Sequence, residues 1–152
     1  MKKLFSLILV LSLSWNVNSY AQSMISISQY LKDNINYLKD PITITYLMNR
    51  CSAVYIYASV VTNKKMPDVS NNFVNAAIKM HKFSLVTLIK EFKYNQIEAE
   101  KKTKKEVDIM FRYYQKDGDE FYARTGKYME KSYIGDDLQK CNSLLIAFEN
   151  SK

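Results

Sequence analysis

Helix breakers are almost missing from this chain. Its two prolines stand at positions 41 and 67, and its three glycines all fall between 118 and 135. Stretches that long without either residue favour helix. No segment shows the sustained apolar–polar alternation of a half-buried strand. Asp117-Gly118 is the one hairpin-type pair, and helical patterns flank it. The expected fold is therefore all-α: an antiparallel bundle of four to five helices, closed by one disulfide and preceded by a signal peptide.

The first residues have the layout of a secretory leader. Lys2 and Lys3 give a positive start, Leu4 to Trp15 are mostly apolar, and Ser19-Tyr20-Ala21 offers a small-x-small cleavage site. The apolar run is shorter than the ~18 residues a bilayer span needs, and Ser6, Ser12 and Ser14 interrupt it. No cysteine stands at the cleavage point to carry a lipid. The expected division is a signal peptide over 1–21 and a single helical domain over 22–152. The expected location is the periplasm or the extracellular space, with no transmembrane span after leader removal. Taking 21 from the 152 residues leaves 131, enough for one ordinary domain. Without Lys2 and Lys3, 20 basic residues face 15 acidic ones, a net charge of +5.

Export also decides how the two cysteines read. Cys51 and Cys141 would meet an oxidising compartment, where such a pair closes. In the chain-entropy model a loop of this span contributes about 4.5 kcal/mol. Neither cysteine belongs to a Cys-x-x-Cys redox motif, and two cysteines with one histidine fall short of a metal-ligand set.

Periodicity places the helices. Ile27, Leu31, Ile35 and Leu38 predict a short one over 26–38. Asp40-Pro41 caps a second over 41–62, with its stripe at Leu47, Cys51, Val54, Ala58 and Val61. That helix is apolar nearly all round, with Arg50 the only charge in its middle, so it should be central. A third runs from a cap at Asp68 or Ser70 to Tyr94, with Val74, Ile78, His81, Leu85, Leu88 and Phe92 on one face. A fourth covers 97–116, and Asn95 marks either a cap or a bend. Gly118 is expected to break the chain before a short, weaker helix through Phe121, Thr125 and Tyr128. A last helix, capped by Asp136, carries Leu138, Cys141, Leu145 and Phe148.

Candidate chemistry is sparse. His81 is the only histidine, and it stands on an apolar helix face. It is a candidate metal ligand, general base or pH sensor; a core histidine with a hydrogen-bond partner is the more economical reading. Tyr113, Tyr122, Tyr128 and Tyr133, with Arg112 and Arg124, cluster around the three glycines. Tyrosine and arginine are enriched at binding interfaces, so these six form the candidate interaction surface. Lys101 to Lys105 invite an anionic membrane or an acidic partner, but acids interleave them as on a solvated helix face. No nucleophile elbow, P-loop, EF-hand, haem or zinc motif is present, so no cofactor, metal or catalytic residue is assigned. Nucleic acid is disfavoured by export and by the lack of a binding motif.

The leading expectation is a non-enzymatic binding protein of the exported compartment, of inhibitor, immunity or chaperone type. Its partner would be another exported protein or an envelope component. The first alternative is a small-ligand carrier with a pocket near His81. The second is a hydrolase that uses His81.

Overall fold

The computed structural model describes residues 24–150, which form helices, the connections between them and a short extended lead-in before the first helix. The expected signal peptide lies outside the described residues. Five α-helices follow in order: α1 Ile27–Asp33, α2 Pro41–Thr62, α3 Pro67–Phe92, α4 Gln96–Thr125 and α5 Tyr133–Asn150. A single 3-10 turn, Tyr37–Lys39, lies between α1 and α2. The all-α expectation holds.

Local signals set most of the helix ends. Asp40 accepts hydrogen bonds from the backbone of Ile42 and Thr43, and Pro41 occupies the first turn of α2. Lys93 takes a left-handed conformation (φ 59°) and stops α3. Asn95 then opens α4 with a capping box, its side chain on the Glu98 amide and the Glu98 carboxylate on its own amide. Asn95 is thus a cap, not a bend. Neither Asp68 nor Ser70 caps α3. That helix starts at Pro67, after Met66, with no side-chain cap. The first helix stops at Asp33 rather than 38, with the 3-10 turn taking over. The last begins at Tyr133, so Asp136 lies in its first turn and favours the helix dipole instead of capping it.

The break expected at Gly118 does not occur. α4, 30 residues long, continues through it to Thr125, where Gly126 (φ 72°) ends it, so no separate helix forms around Phe121. Gly118 is fully helical and buried against α2. A Cβ there would lie 1.8 Å from the Tyr57 hydroxyl oxygen and 2.4 Å from its Cζ. The glycine makes room for a buried tyrosine and leaves the backbone path unchanged.

Contacts show how the helices run. Ser52 and Ser59 of α2 reach Ala77 and Ser70 of α3, so those two helices are antiparallel. Along α2 and α5 the pairs Arg50–Asp137, Cys51–Cys141 and Tyr55–Asn142 advance in the same direction, so these two run together. The bundle therefore departs from the strictly antiparallel arrangement expected. The segment 126–132 turns back along α4 to make this possible. Two left-handed residues, Gly126 and Lys131, bracket it, and Tyr128 and Met129 pack on the core.

α2 is central, as its composition implied. Every residue from Leu47 to Tyr55 is buried. The disulfide Cys51–Cys141 is formed. One turn from it lies a buried ion pair that the sequence reading passed over. Arg50 meets Asp137 at 2.5 Å with both side chains fully buried. The guanidinium also donates to the Tyr114 hydroxyl (3.0 Å), the Tyr46 hydroxyl (3.0 Å) and the Ile25 carbonyl (2.5 Å). Four of its five N–H groups are thereby used. Asp137 accepts from the Ile27 amide (2.6 Å) and from Tyr114 (2.7 Å) besides Arg50. Burial works against the charged guanidinium, but Tyr114 and Asp137 beside it more than offset that and hold its pKa above the ordinary value.

Two stability predictions follow from this packing. Arg50→Met strands the Asp137 carboxylate in the core and should cost about 3–5 kcal/mol in urea unfolding. Arg50→Met with Asp137→Leu should recover most of that loss. Gly118→Ala should lower stability by about 1–2 kcal/mol, because overpacking against Tyr57 outweighs the gain of about 1 kcal/mol in helix propensity. A gain in thermal midpoint for that variant would show that Tyr57 moves aside freely.

Candidate functional site

α3 reaches α2 through small side chains. Ser70, Ala77 and Ser84 recur every seven residues, and all three are buried. Their size lets the helices approach closely. The Ser52 hydroxyl donates to the Ala77 carbonyl (3.1 Å) and the Ser70 hydroxyl to the Ser59 carbonyl (2.9 Å). The branched residues that sequence periodicity assigned to the core face lie one flank away. Val74 is 42% exposed and Ile78 47%. With 100° between successive helical residues, 74, 78, 81 and 85 share this flank.

That flank forms one wall of a groove of about 720 Å³. Val74, Ile78, His81 and Leu85 of α3 line it on one side. Ser52, Ile56 and Ser59 of α2 form the floor, and Glu100, Lys104, Val107 and Asp108 of α4 form the other wall. The Ser59 hydroxyl donates to the Ile56 carbonyl, so both floor serines spend their protons on the main chain. What they leave toward the groove is largely apolar.

His81 is therefore half-buried in a groove wall, not enclosed in the core. It makes no hydrogen bond to another described residue. Burial among apolar neighbours pulls its pKa below the ordinary 6.5, against a smaller opposing pull from Glu100. The imidazole is thus mainly neutral at neutral pH. Among the described residues no cluster of three or more His, Cys, Asp or Glu could hold a metal ion.

The six residues of the candidate interaction surface do not form one patch. Tyr133 is half-buried, donates to Asp117 at 2.5 Å and stacks on Tyr114 at 6.1 Å. Tyr128 is half-buried and stacks on Tyr122, centroids 4.2 Å apart and planes 13° from parallel. These contacts pin the returning segment 126–132 and the start of α5 to α4. Tyr113 and Tyr122 keep 44% and 45% of their surface exposed. Arg112 and Arg124 are exposed as well. Relative to buried Tyr114, helical rotation puts Arg112 on the far side of α4 and sends Tyr122 and Arg124 to opposite flanks. Arg124 borders a smaller hollow of about 270 Å³ with Asp117, Glu120 and Tyr133. Arg112 borders another with Lys101, Lys104 and Lys105.

Sequence reasoning set Val74, Ile78 and Leu85 on the same face as His81 but missed Ile56 and Val107 as its groove companions. A readable signal existed for the α3 wall: the seven-residue repeat of small residues marks the helix contact and sets Val74 and Ile78 aside from it. No such signal exists for Ile56 or Val107, which reach the groove from other helices.

No protein-family model, curated protein or solved structure matches the chain. The groove's chemistry has to be read from its own residues.

The depressed pKa of His81 has a definite sign for stability. The unfolded chain takes up the proton near pH 6.5 and the folded chain only below that. The favourable contribution is complete above 6.5 and is lost as pH falls through the window beneath it. The thermal midpoint should therefore drop more steeply on mild acidification in the wild type than in His81→Gln. Equal slopes for the two proteins would show that His81 titrates without restraint.

Proposed function

We propose that this is a non-enzymatic, exported binding protein that carries a small apolar ligand in the groove between α2, α3 and α4. One observation carries the reading: the groove places apolar side chains from three helices around about 720 Å³, open to solvent. That volume falls within the ~300–1,000 Å³ of small-molecule sites. One turn of α-helix with side chains fills about 500 Å³, from its pitch and diameter. The groove thus suits a small molecule better than a docked helix.

Export is supported by the leader pattern and by the disulfide, which suits an oxidising compartment. Among the described residues no helix is long and apolar enough to cross a membrane. The hydrolase alternative finds little support, since neither floor serine nor any carboxylate hydrogen-bonds to His81. Binding of a protein partner through the tyrosine-rich third is weakened, because Tyr128 and Tyr133 are engaged in packing. It keeps one favourable observation, the half-exposed ring of Tyr122 supported by Tyr128.

A charge placed on the groove wall should abolish carriage without unfolding the chain. Ile78→Asp should weaken binding of a neutral apolar fluorophore by more than about tenfold, while its half-exposed site keeps the unfolding midpoint near that of the wild type. Retained binding in Ile78→Asp would remove the groove as the carrier site.

A further inference from the structure

The lips of the groove show what kind of ligand suits it. Lys82 and Lys104 are balanced by Glu100 and Asp108, and all four side chains are exposed. Such charges are screened by solvent and salt, and the four sum to no net charge. Of the ionisable groups that line the groove, only His81 is half-buried. It lies among Val74, Ile78 and Leu85 of its own helix, faces Glu100, Lys104 and Asp108 of α4, and meets only serine hydroxyls and Ile56 from α2. The two lysines and two carboxylates stand exposed and in equal number, so neither an anionic nor a cationic head group meets a desolvated counter-charge.

We propose that the groove selects an uncharged, mainly apolar small molecule, held against the neutral imidazole of His81, and that protonation of His81 releases it. This rests on the carrier reading above. A neutral imidazole offers one donor and one acceptor, so it can meet a hydroxyl, carbonyl or amine on an otherwise apolar ligand. An occupant lying on His81 displaces the water that solvates the ring. It thereby raises the cost of the charged form, which burial already disfavours. Ligand and proton then compete by linkage: what the ligand does to the proton's affinity, the proton does to the ligand's. Each further unit of pKa depression on binding makes the acid-side affinity about tenfold weaker.

The test uses two dyes with one ring skeleton, N-phenyl-1-naphthylamine, which is neutral, and its anionic sulfonate analogue 8-anilinonaphthalene-1-sulfonate. Both are titrated into the oxidised full chain by fluorescence, at about pH 7.5 and about pH 5, where histidine changes charge. The expected result is a neutral dye bound at least about tenfold more tightly than the sulfonate at the higher pH. Its affinity should fall about tenfold on acidification, and this fall should be absent in His81→Gln. A sulfonate bound as tightly as the neutral dye, with both lost in Ile78→Asp, overturns the ligand class but leaves the carrier reading standing. An acid-induced loss that persists in His81→Gln overturns the role of His81. Binding of neither dye, or binding untouched by Ile78→Asp, overturns the carrier reading itself. Sedimentation that shows a dimer dissolved by the neutral dye makes a second copy of the chain the occupant and overturns the small-molecule class.

Discussion

The Arg50–Asp137 ion pair is the interaction around which the described chain is organised. Taking two charges from water into a protein core costs several kcal/mol each, even after relaxation. That cost is met only if both groups find nearly all their hydrogen bonds, and here the partners come from most of the molecule. Arg50 belongs to α2, Asp137 to α5 and Tyr114 to α4, while Ile25 and Ile27 come from the N-terminal segment and α1. Withdrawing any one segment opens the pair to imperfect solvation. The pair thus works as a registry device, favouring one arrangement of helices over compact alternatives that would leave a buried charge alone.

The disulfide acts on the same region by a different route. Cys51 follows Arg50 directly, and Cys141 lies one turn after Asp137. The crosslink and the ion pair therefore join adjacent turns of the same two helices. The disulfide restricts the unfolded chain, whereas the ion pair discriminates among folded arrangements. Together they let α5 attach to α2 over a short contact, although it must run parallel to that helix and return through 126–132. The stacked tyrosines Tyr122 and Tyr128 hold this return path.

Concentrating the fold around α2 has a consequence for α3 and α4. Each packs mainly on α2 and less on the other, so the space between them above α2 stays unfilled. Small residues bring α3 close to α2, and the branched residues beside them are left to line the opening. The groove at His81 is thus a by-product of how α3 is packed, and its volume of about 720 Å³ falls in the range of small-molecule sites. Its charged residues are confined to exposed positions, and only His81 among its ionisable groups is half-buried.

Much of this was legible in the residues alone. The scarcity of glycine and proline, the caps at Asp40 and Asn95, the all-round apolar surface of α2 and the pairing of two cysteines all concern short-range preferences or a single possible partner. Local backbone energetics and the burial of α2 decide them. What the tertiary structure alone decided was non-local. Gly118 reads as a break until Tyr57 is seen to need its space. Arg50 reads as an awkward charge until Asp137, 87 positions away, is brought to it. The clustered tyrosines read as one surface until the rotation of α4 disperses them. His81 reads as a core residue until the small residues of α3 show which flank is covered. The physical reason is common to all four cases. Periodicity tells which residues share a helix face, but the energy of burying that face depends on the shape and charge of whatever packs against it.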